Sequence, residues 1–283
     1  MEPLANLNGQ IMPLREVMVP ALDRGFLFGD AVYEGLHLTG GKVRFLSRHM
    51  QRLERSLGEL RISGVDLIRL QQRLLDTIAA SGLQEAFIYI QISRGAGPTR
   101  THYWPANATP TEFLYVEEFR DPYAQQRQTG VAVITYPDLR WSRCDIKTVN
   151  LLGNTLAAQA AREQGAAEAI LVKPDGTITE GSRTSFFGVV SGKIRTGPLT
   201  PAILPGVTRG FVLELIQELK LPVEQSHLHR DELSHVEELF LTGTTAEVLP
   251  IVKVDGKMVG NGKPGPMTLR LQAAFREMVR KEG

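Results

Sequence analysis

Two hydrophobic periods alternate along the first half of the chain. Residues Ala31–Leu38 and Val43–Phe45, joined by Thr39-Gly40-Gly41-Lys42, read as the strands of a hairpin, and Asn8-Gly9 marks an earlier tight turn. Ser47 stands where it can cap a helix that carries Met50, Leu53, Leu57 and Leu60 on one stripe. A second stripe, Leu67, Leu70, Leu74 and Ile78, ends near Ser81-Gly82. Phe87–Ser93 and Glu112–Phe119 return to strands, separated by a long loop containing Arg, Gly and Pro. In the second half strands and helices alternate, with turns at Pro174-Asp175-Gly176 and Ser191-Gly192. Helices are predicted over Leu151–Gln164, Val207–Lys220, Arg230–His235 and Met267–Lys281. The pattern predicts an α+β protein of two domains. A small N-terminal domain (residues 1–119) and a polar linker (120–127) precede a larger C-terminal domain (128–283), with a ligand cleft between the two.

Charge narrows the partners. Lys+Arg of 32 against Asp+Glu of 31 leaves a net charge of +1, so no nucleic-acid surface is expected. Met1–Asn6 is polar, unlike a signal peptide, and no run approaches the ~20 apolar residues that cross a bilayer. The one cysteine, Cys144, rules out an intrachain disulfide and fits a reducing cytoplasm; a small packing residue suits it better than a nucleophile.

Lys147 is the first candidate for chemistry. It lies in Trp141-Ser142-Arg143-Cys144-Asp145-Ile146-Lys147-Thr148-Val149-Asn150, between an apolar strand and an Ala-rich helix. Further on, Thr179-Glu180-Gly181-Ser182 offers a carboxylate at a strand-turn boundary. A lysine and a carboxylate so placed can serve the two ends of a pyridoxal phosphate ring, as imine-forming amine and as partner of the ring nitrogen. Alone, each has an ordinary reading as a solvated lysine and a turn glutamate. Leu204-Pro205-Gly206-Val207-Thr208-Arg209 and Thr242-Gly243-Thr244-Thr245 suit either phosphate binding or plain helix capping. Thr99-Arg100-Thr101-His102 is a carboxylate site or a solvated basic loop. His227-Leu228-His229 lacks a third ligand, so no metal is expected.

Taken as an ordered set, these residues are more specific. The chain resembles the fold-type IV, branched-chain-aminotransferase-like pyridoxal phosphate enzymes, and among them the D-amino acid transaminases. The resemblance runs through Asp23-Arg24-Gly25-Phe26-Leu27-Phe28-Gly29-Asp30-Ala31-Val32-Tyr33-Glu34, His49-Met50-Gln51-Arg52-Leu53, Arg143 to Lys147 with Asn150-Leu151-Leu152-Gly153, Glu180-Gly181-Ser182, Gly206 to Arg209 and Thr244-Thr245. It implies Lys147 as Schiff-base lysine and proton carrier, Glu180 as partner of the pyridine nitrogen, and Tyr33 beside the imine and the substrate carboxylate. It implies a phosphate cup from Arg52, the Val207 backbone, Thr208, Gly243 and Thr244, with Ser182 beside the ring. Arg100 and His102, reaching in from the partner of a homodimer, would bind the α-carboxylate, while Gly35 and His37 would line the substrate pocket next to Tyr33. The active site is expected in the interdomain cleft at the dimer interface.

There are departures. Close D-amino acid transaminases carry an aliphatic residue and a lysine where Gly35 and His37 stand. Tyr33-Glu34-Gly35 is more like the branched-chain enzymes. Gly243 takes the place of a serine, and Ser185 that of an asparagine. The reaction implied is transfer of an amino group from a D-amino acid such as D-alanine to 2-oxoglutarate, giving a 2-oxo acid and D-glutamate. A branched-chain L-aminotransferase, an aminodeoxychorismate lyase-like or (R)-amine enzyme, and a non-catalytic coenzyme binder stay open as alternatives.

Overall fold

A computed structural model describes residues 2–282. The chain divides into two compact units. One runs up to Arg120 and adds Ile146–Asn150; the other consists of Asp121–Asp145 and Leu151–Glu282.

The first unit contains strands β1 (Leu4–Leu7), β2 (Gln10–Pro13), β3 (Ala31–Thr39), β4 (Lys42–Val43), β5 (Ala86–Ser93) and β6 (Thr111–Glu118), and helices α1 (Arg24–Phe28), α2 (Leu46–Glu59) and α3 (Leu67–Ser81). The strands form one sheet in the order β2-β1-β6-β5-β3-β4, with β3, β5 and β6 antiparallel in unbroken register. One face of the sheet is covered by α2 and α3. Met50, Leu53 and Leu57 and Leu70, Leu74 and Ile78 pack with Val32, Leu36, Ile88, Ile90, Leu114 and Val116, so both predicted stripes face the core.

Helix boundaries follow local chemistry. Asp66 caps α3 by accepting from the N–H groups of Ile68 and Arg69, and Gly82 ends it in the left-handed region. Ser47 is not the cap expected for α2: the cap position falls two residues earlier, at Phe45 (φ 53°), without a side-chain cap. α1 was not predicted. It has Asp23 as its cap and Gly29 (φ 66°) as its stop, but five residues are too few to show a period.

The second unit contains α4 (Gln126–Thr129), β7 (Val131–Pro137), α5 (Leu152–Glu163), β8 (Glu168–Val172), β9 (Ile178–Gly181), β10 (Ser185–Val190), β11 (Lys193–Thr196), α6 (Val207–Glu218), β12 (Val223–Gln225), β13 (Glu238–Gly243), β14 (Glu247–Val254), β15 (Lys257–Met258) and α7 (Pro266–Glu282). Its sheet runs β12-β11-β10-β13-β14-β7-β8-β9, with β15 added to β14. β7 is parallel to both β8 and β14 and the central strands are buried, so they read as continuous apolar runs. The expected helix at Arg230–His235 is a 3₁₀ turn over Arg230–Ser234, with His229 and Glu232 closing its start as a capping box.

The segment carrying Lys147 departs from the expected domain layout, since Ile146–Asn150 packs with the first unit. Ile146 is buried in that unit's core, and the backbone beyond it bonds to the edge of β3. Contacts distant in sequence outweigh its neighbourhood to β7.

Near the start of the loop between β5 and β6 stands Gly95 (φ +87°), where a Cβ would lie 1.8 Å from the carbonyl oxygen of Thr109. Gly40 (φ +56°) has open space around it. Gly40→Ala should cost about 1 kcal/mol, from backbone strain alone. Gly95→Ala should cost at least about 3 kcal/mol, because the loop must also move. Denaturant midpoints test this, and equal midpoints for the two variants would refute it.

Candidate active site

Lys147 is fixed by its backbone. The N–H of Tyr33 donates to the Lys147 carbonyl (3.0 Å), the N–H of Val149 to Ala31 (3.2 Å), and the N–H of Lys147 to Ser56 Oγ (3.3 Å). Val32 and Thr148 form an antiparallel bridge. Asn150 Nδ2 donates to the Gly29 carbonyl at 3.0 Å, and a Cβ on Gly29 would lie 2.5 Å from Asn150 Oδ1. The glycine that stops α1 therefore also makes room for this anchor. The half-buried Lys147 side chain places Nζ 4.2 Å from the centre of the Tyr33 ring, a cation–π contact.

Beneath lies a buried charge network. Glu34 accepts from Nε and NH2 of Arg52, both at 2.7 Å, and from Nδ1 of His49 at 2.7 Å. Burial alone would raise the Glu34 pKa, but the Arg52 charge and the hydrogen bonds outweigh it and hold it at about 2. Burial pushes His49 below its usual value against the pull of Glu34, and the charges of Arg52 and Lys147 act in the same sense as burial. His49 is therefore neutral at pH 7, with its Nδ1 proton facing the carboxylate. Arg52, expected to bind phosphate, gives this edge of its guanidinium to Glu34.

Tyr33, Gly35 and His37 alternate along β3, opposite Gln91, Tyr89 and Phe87. Tyr33 stacks on Tyr89 (5.6 Å) and Tyr89 on Tyr115 (5.4 Å), making an aromatic band on the sheet. The Phe87 ring comes within 3.3 Å of where a Cβ on Gly35 would be. His37 is more enclosed than expected of a pocket residue: it is buried, with Phe119 edge-on at 4.2 Å and Glu85 Oε2 3.9 Å from Nε2.

In the second unit Glu180, at the end of β9, is buried. It accepts from Arg140 NH1 (2.5 Å) and from the N–H of Leu204 (2.9 Å). Arg140 also donates to both oxygens of Asp138, whose Oδ2 accepts from Thr179 Oγ1. Burial pushes Glu180 up to about 7, against the lowering effect of Arg140 and of the Leu204 N–H. With Glu180 ionised, the Asp138–Arg140–Glu180 chain carries two negative charges and one positive, so a cation beside Glu180 is favoured. The expected Ser182 is held away from a free role: its hydroxyl and N–H both donate to Glu168, which also accepts from Thr184 Oγ1. Gly181 is required here, since a Cβ would stand 2.1 Å from Thr184 Oγ1.

α6 begins at Gly206 with no side-chain cap, which leaves the first-turn N–H groups of Val207 and Thr208 to an outside acceptor. A Cβ on Gly206 would lie 2.8 Å from Ser185 Oγ, and Ser185 pairs in register with Thr242 at the end of β13. The helix start and the Thr242–Thr245 turn are thus neighbours. Thr242 Oγ1 and Arg209 Nε are buried without a hydrogen-bond partner among the described residues. Arg127 NH1 donates to the Thr245 carbonyl (3.1 Å) and fixes the turn. A Cβ on Gly243 would make only ordinary contacts, so packing does not impose glycine there.

Arg100 and His102 are exposed on the β5–β6 loop, against Phe28 of the same unit: the Arg100 guanidinium is 5.0 Å and the His102 ring 5.4 Å from its centre. Cys144 is half-buried and donates to the Trp141 carbonyl; burial raises its thiol pKa to about 11, unlike a nucleophile. The ring nitrogens of His227 and His229 engage the backbone at Ile178, Asp175 and Asp231. The sequence reading missed Arg140, Glu168 and Arg127, which act only through tertiary contacts. Among the described residues no helix is long and apolar enough to cross a membrane.

Glu180 and Glu34 make opposite pH predictions. An acid raised from 4.5 to about 7 favours folding below pH 4.5 and loses that contribution as pH rises through 7, by about 3 kcal/mol. Glu34 contributes above pH 4.5 and loses its contribution as pH falls toward 2. Melting of the coenzyme-free protein should therefore weaken between pH 5 and 7 (roughly the Glu180 window). Glu180→Gln should flatten that window and leave the acid limb, and an unchanged slope in the variant would refute the assignment.

The geometry has known counterparts. Residues 31–254 match the model of the amino-transferase class IV family. The chain is 38% identical over 279 residues to the D-alanine aminotransferase of Bacillus licheniformis, covering 97% of this chain and 96% of that protein. It is 35% identical to the D-alanine aminotransferase of Staphylococcus aureus (strain COL), over 96% of each. Among solved structures, the branched-chain amino acid aminotransferase of Escherichia coli superposes with a TM-score of 0.91 at 26% identity, covering 99% of this chain and 95% of that one. A second branched-chain amino acid aminotransferase, from T.th. and solved with pyridoxamine 5′-phosphate, also gives 0.91 at 26% identity, covering 99% and 94%. Class IV aminotransferases use pyridoxal phosphate, and the residues suit it: a fixed lysine, a buried carboxylate short of positive charge, and an uncapped helix start next to orphaned buried donors. This chain belongs to the class IV aminotransferases.

Proposed function

We propose that this protein transfers an amino group from a D-amino acid, D-alanine being the first to test, to 2-oxoglutarate. The observation that carries this is the level of likeness: 38% identity over nearly the whole chain to a D-alanine aminotransferase, against 26% to branched-chain enzymes of the same fold. The Arg100/His102 loop supports the same choice, as a bidentate cation with a second donor suits an α-carboxylate.

Bound pyridoxal phosphate would supply a cationic ring that stabilises negative charge at the substrate α-carbon. Lys147 is its covalent anchor and the base that carries the α-proton. Glu180, kept in place by Arg140, faces the ring nitrogen. Ser182 stands beside the ring. The Val207 and Thr208 N–H groups, Gly243, Thr244 and Arg52 hold the phosphate. Tyr33, Arg100 and His102 bind the substrate carboxylate, and Gly35 and His37 border the side chain. The working form is a cytoplasmic homodimer in which Arg100 and His102 serve the partner's site. Support for the dimer comes from the exposed Met18, Val19, Leu22, Phe26 and Tyr103.

Lys147 sets handedness together with the trap. A proton carried by one amine reaches one face only, so the position of the carboxylate decides which enantiomer forms. Borohydride reduction of the holoenzyme followed by mass spectrometry should place the coenzyme on Lys147, and Lys147→Ala should keep coenzyme without turnover. A label on another lysine would overturn the assignment.

A donor panel with 2-oxoglutarate tests the reaction itself. D-alanine and D-glutamate should react and L-leucine, L-valine and L-isoleucine should not; the reverse would establish a branched-chain enzyme. Arg100→Ala should cost about 2–4 kcal/mol in kcat/KM for D-alanine while leaving coenzyme affinity unchanged.

A further inference from the structure

We infer that Arg24 is a positioning residue that sets the shape of the loop bearing Arg100 and His102, and so the affinity for the substrate carboxylate. The inference rests on the proposed role of those two residues.

Arg24 is 5% exposed and is not among the residues proposed to bind the coenzyme or the substrate. Its Nε donates to Asp30 Oδ2 (2.8 Å), NH1 to the carbonyls of Thr101 (2.7 Å) and Tyr103 (3.2 Å), and NH2 to the carbonyl of His102 (3.2 Å). Its own N–H donates to the Gly95 carbonyl (3.0 Å), so one residue holds both the start and the middle of the loop. The guanidinium also lies 4.7 Å from the centre of Phe28, the ring that Arg100 and His102 pack against. Asp30 is shared with Arg94, whose guanidinium is 4.0 Å from the Trp104 ring centre, with that of Arg61 at 4.6 Å. Three consecutive loop carbonyls, Thr101 to Tyr103, thus point at one planar cation, and Trp104 is clamped next to them. Only a guanidinium fork offers enough donors for this pattern; an ammonium has three around a single atom. A loop fixed before substrate arrives does not pay its ordering cost at binding.

The test uses holoenzyme. Arg24→Met should raise KM for both D-alanine and 2-oxoglutarate by at least ~10-fold, with kcat and coenzyme affinity within about threefold of wild type. Amide hydrogen exchange in residues 97–105 should accelerate by at least ~10-fold, and Arg24→Lys should fall between Arg24→Met and wild type. If Arg24 acts through the loop, Arg24→Met added to Arg100→Ala should cause little further loss. Additive losses, or unchanged loop exchange and KM, would overturn the inference. An Arg100→Ala enzyme that behaves as wild type removes the carboxylate-trap reading and this inference with it. An impaired Arg100→Ala beside a normal Arg24→Met removes this inference alone. Should Arg24→Met fail to fold, Trp104→Ala at a partly exposed position replaces it: faster loop exchange with raised KM supports the mechanism, and wild-type behaviour overturns it.

Discussion

The laying of Ile146–Asn150 along the edge of β3 is the constraint from which the lysine site follows. β3 gives its other edge to β5, and near its start the open side takes the N–H and carbonyl groups flanking Lys147. Ile146 anchors one end in the core and Asn150 the other at Gly29. A lysine chain has many rotamers, and ordering it costs up to about 2 kcal/mol. Fixing the backbone on both sides, with Tyr33 under the ammonium, confines the amine to a small volume. The same strand supplies Tyr33 to the site and Glu34 to the network beneath, because successive residues point to opposite faces.

Two buried glutamates are treated in opposite ways. Glu34 faces a bidentate arginine and a histidine donor and stays ionised far into acid, as a structural anion does. Glu180 shares its arginine with Asp138, so the positive charge is divided and burial prevails. The shortfall suits a carboxylate whose partner arrives with a coenzyme. Arg140 then has two effects: it keeps Glu180 in place, and by being shared it leaves charge unbalanced. A full, private ion pair would hold the side chain equally well but would give less reason for a cationic ring to bind.

Much of the fold was legible because its helices and strands carry strong periods: the stripes of α2 and α3 and the alternation in β5 are direct consequences of one buried face. Elements defined by backbone geometry were not. The Phe45 start of α2, the five residues of α1 and the 3₁₀ turn after His229 lack a period to read. The proposed site rests on residue types and order, Lys147, Glu180, Gly206-Val207-Thr208 and Arg100/His102, whereas the residues that hold these in the fold were hidden. Glu168 did leave a signal, as a charge at the start of the apolar run Ala169–Val172, and such a charge needs several donors to be buried. Arg140 left a weaker one in its spacing from Asp138. Which unit Lys147 packs with was beyond local pattern altogether.

The likeness in fold and the likeness in sequence answer different questions. A TM-score of 0.91 to branched-chain enzymes means that the strands and helices which place a lysine and a carboxylate are shared, and those positions serve either enantiomer. On the proposed reading, enantiomer choice depends on loop and strand positions, at Arg100, His102, Gly35 and His37. Those positions are also where this chain is least uniform, with a D-type loop pair beside a Gly35 more like the branched-chain enzymes. The two features bear on different parts of a substrate. A carboxylate is bound by charge and forked donors, which the loop would provide, while a side chain is accommodated by space, which Gly35 and the Phe87 ring would set. On that reading handedness and side-chain range are separable, and a change in one need not carry the other with it.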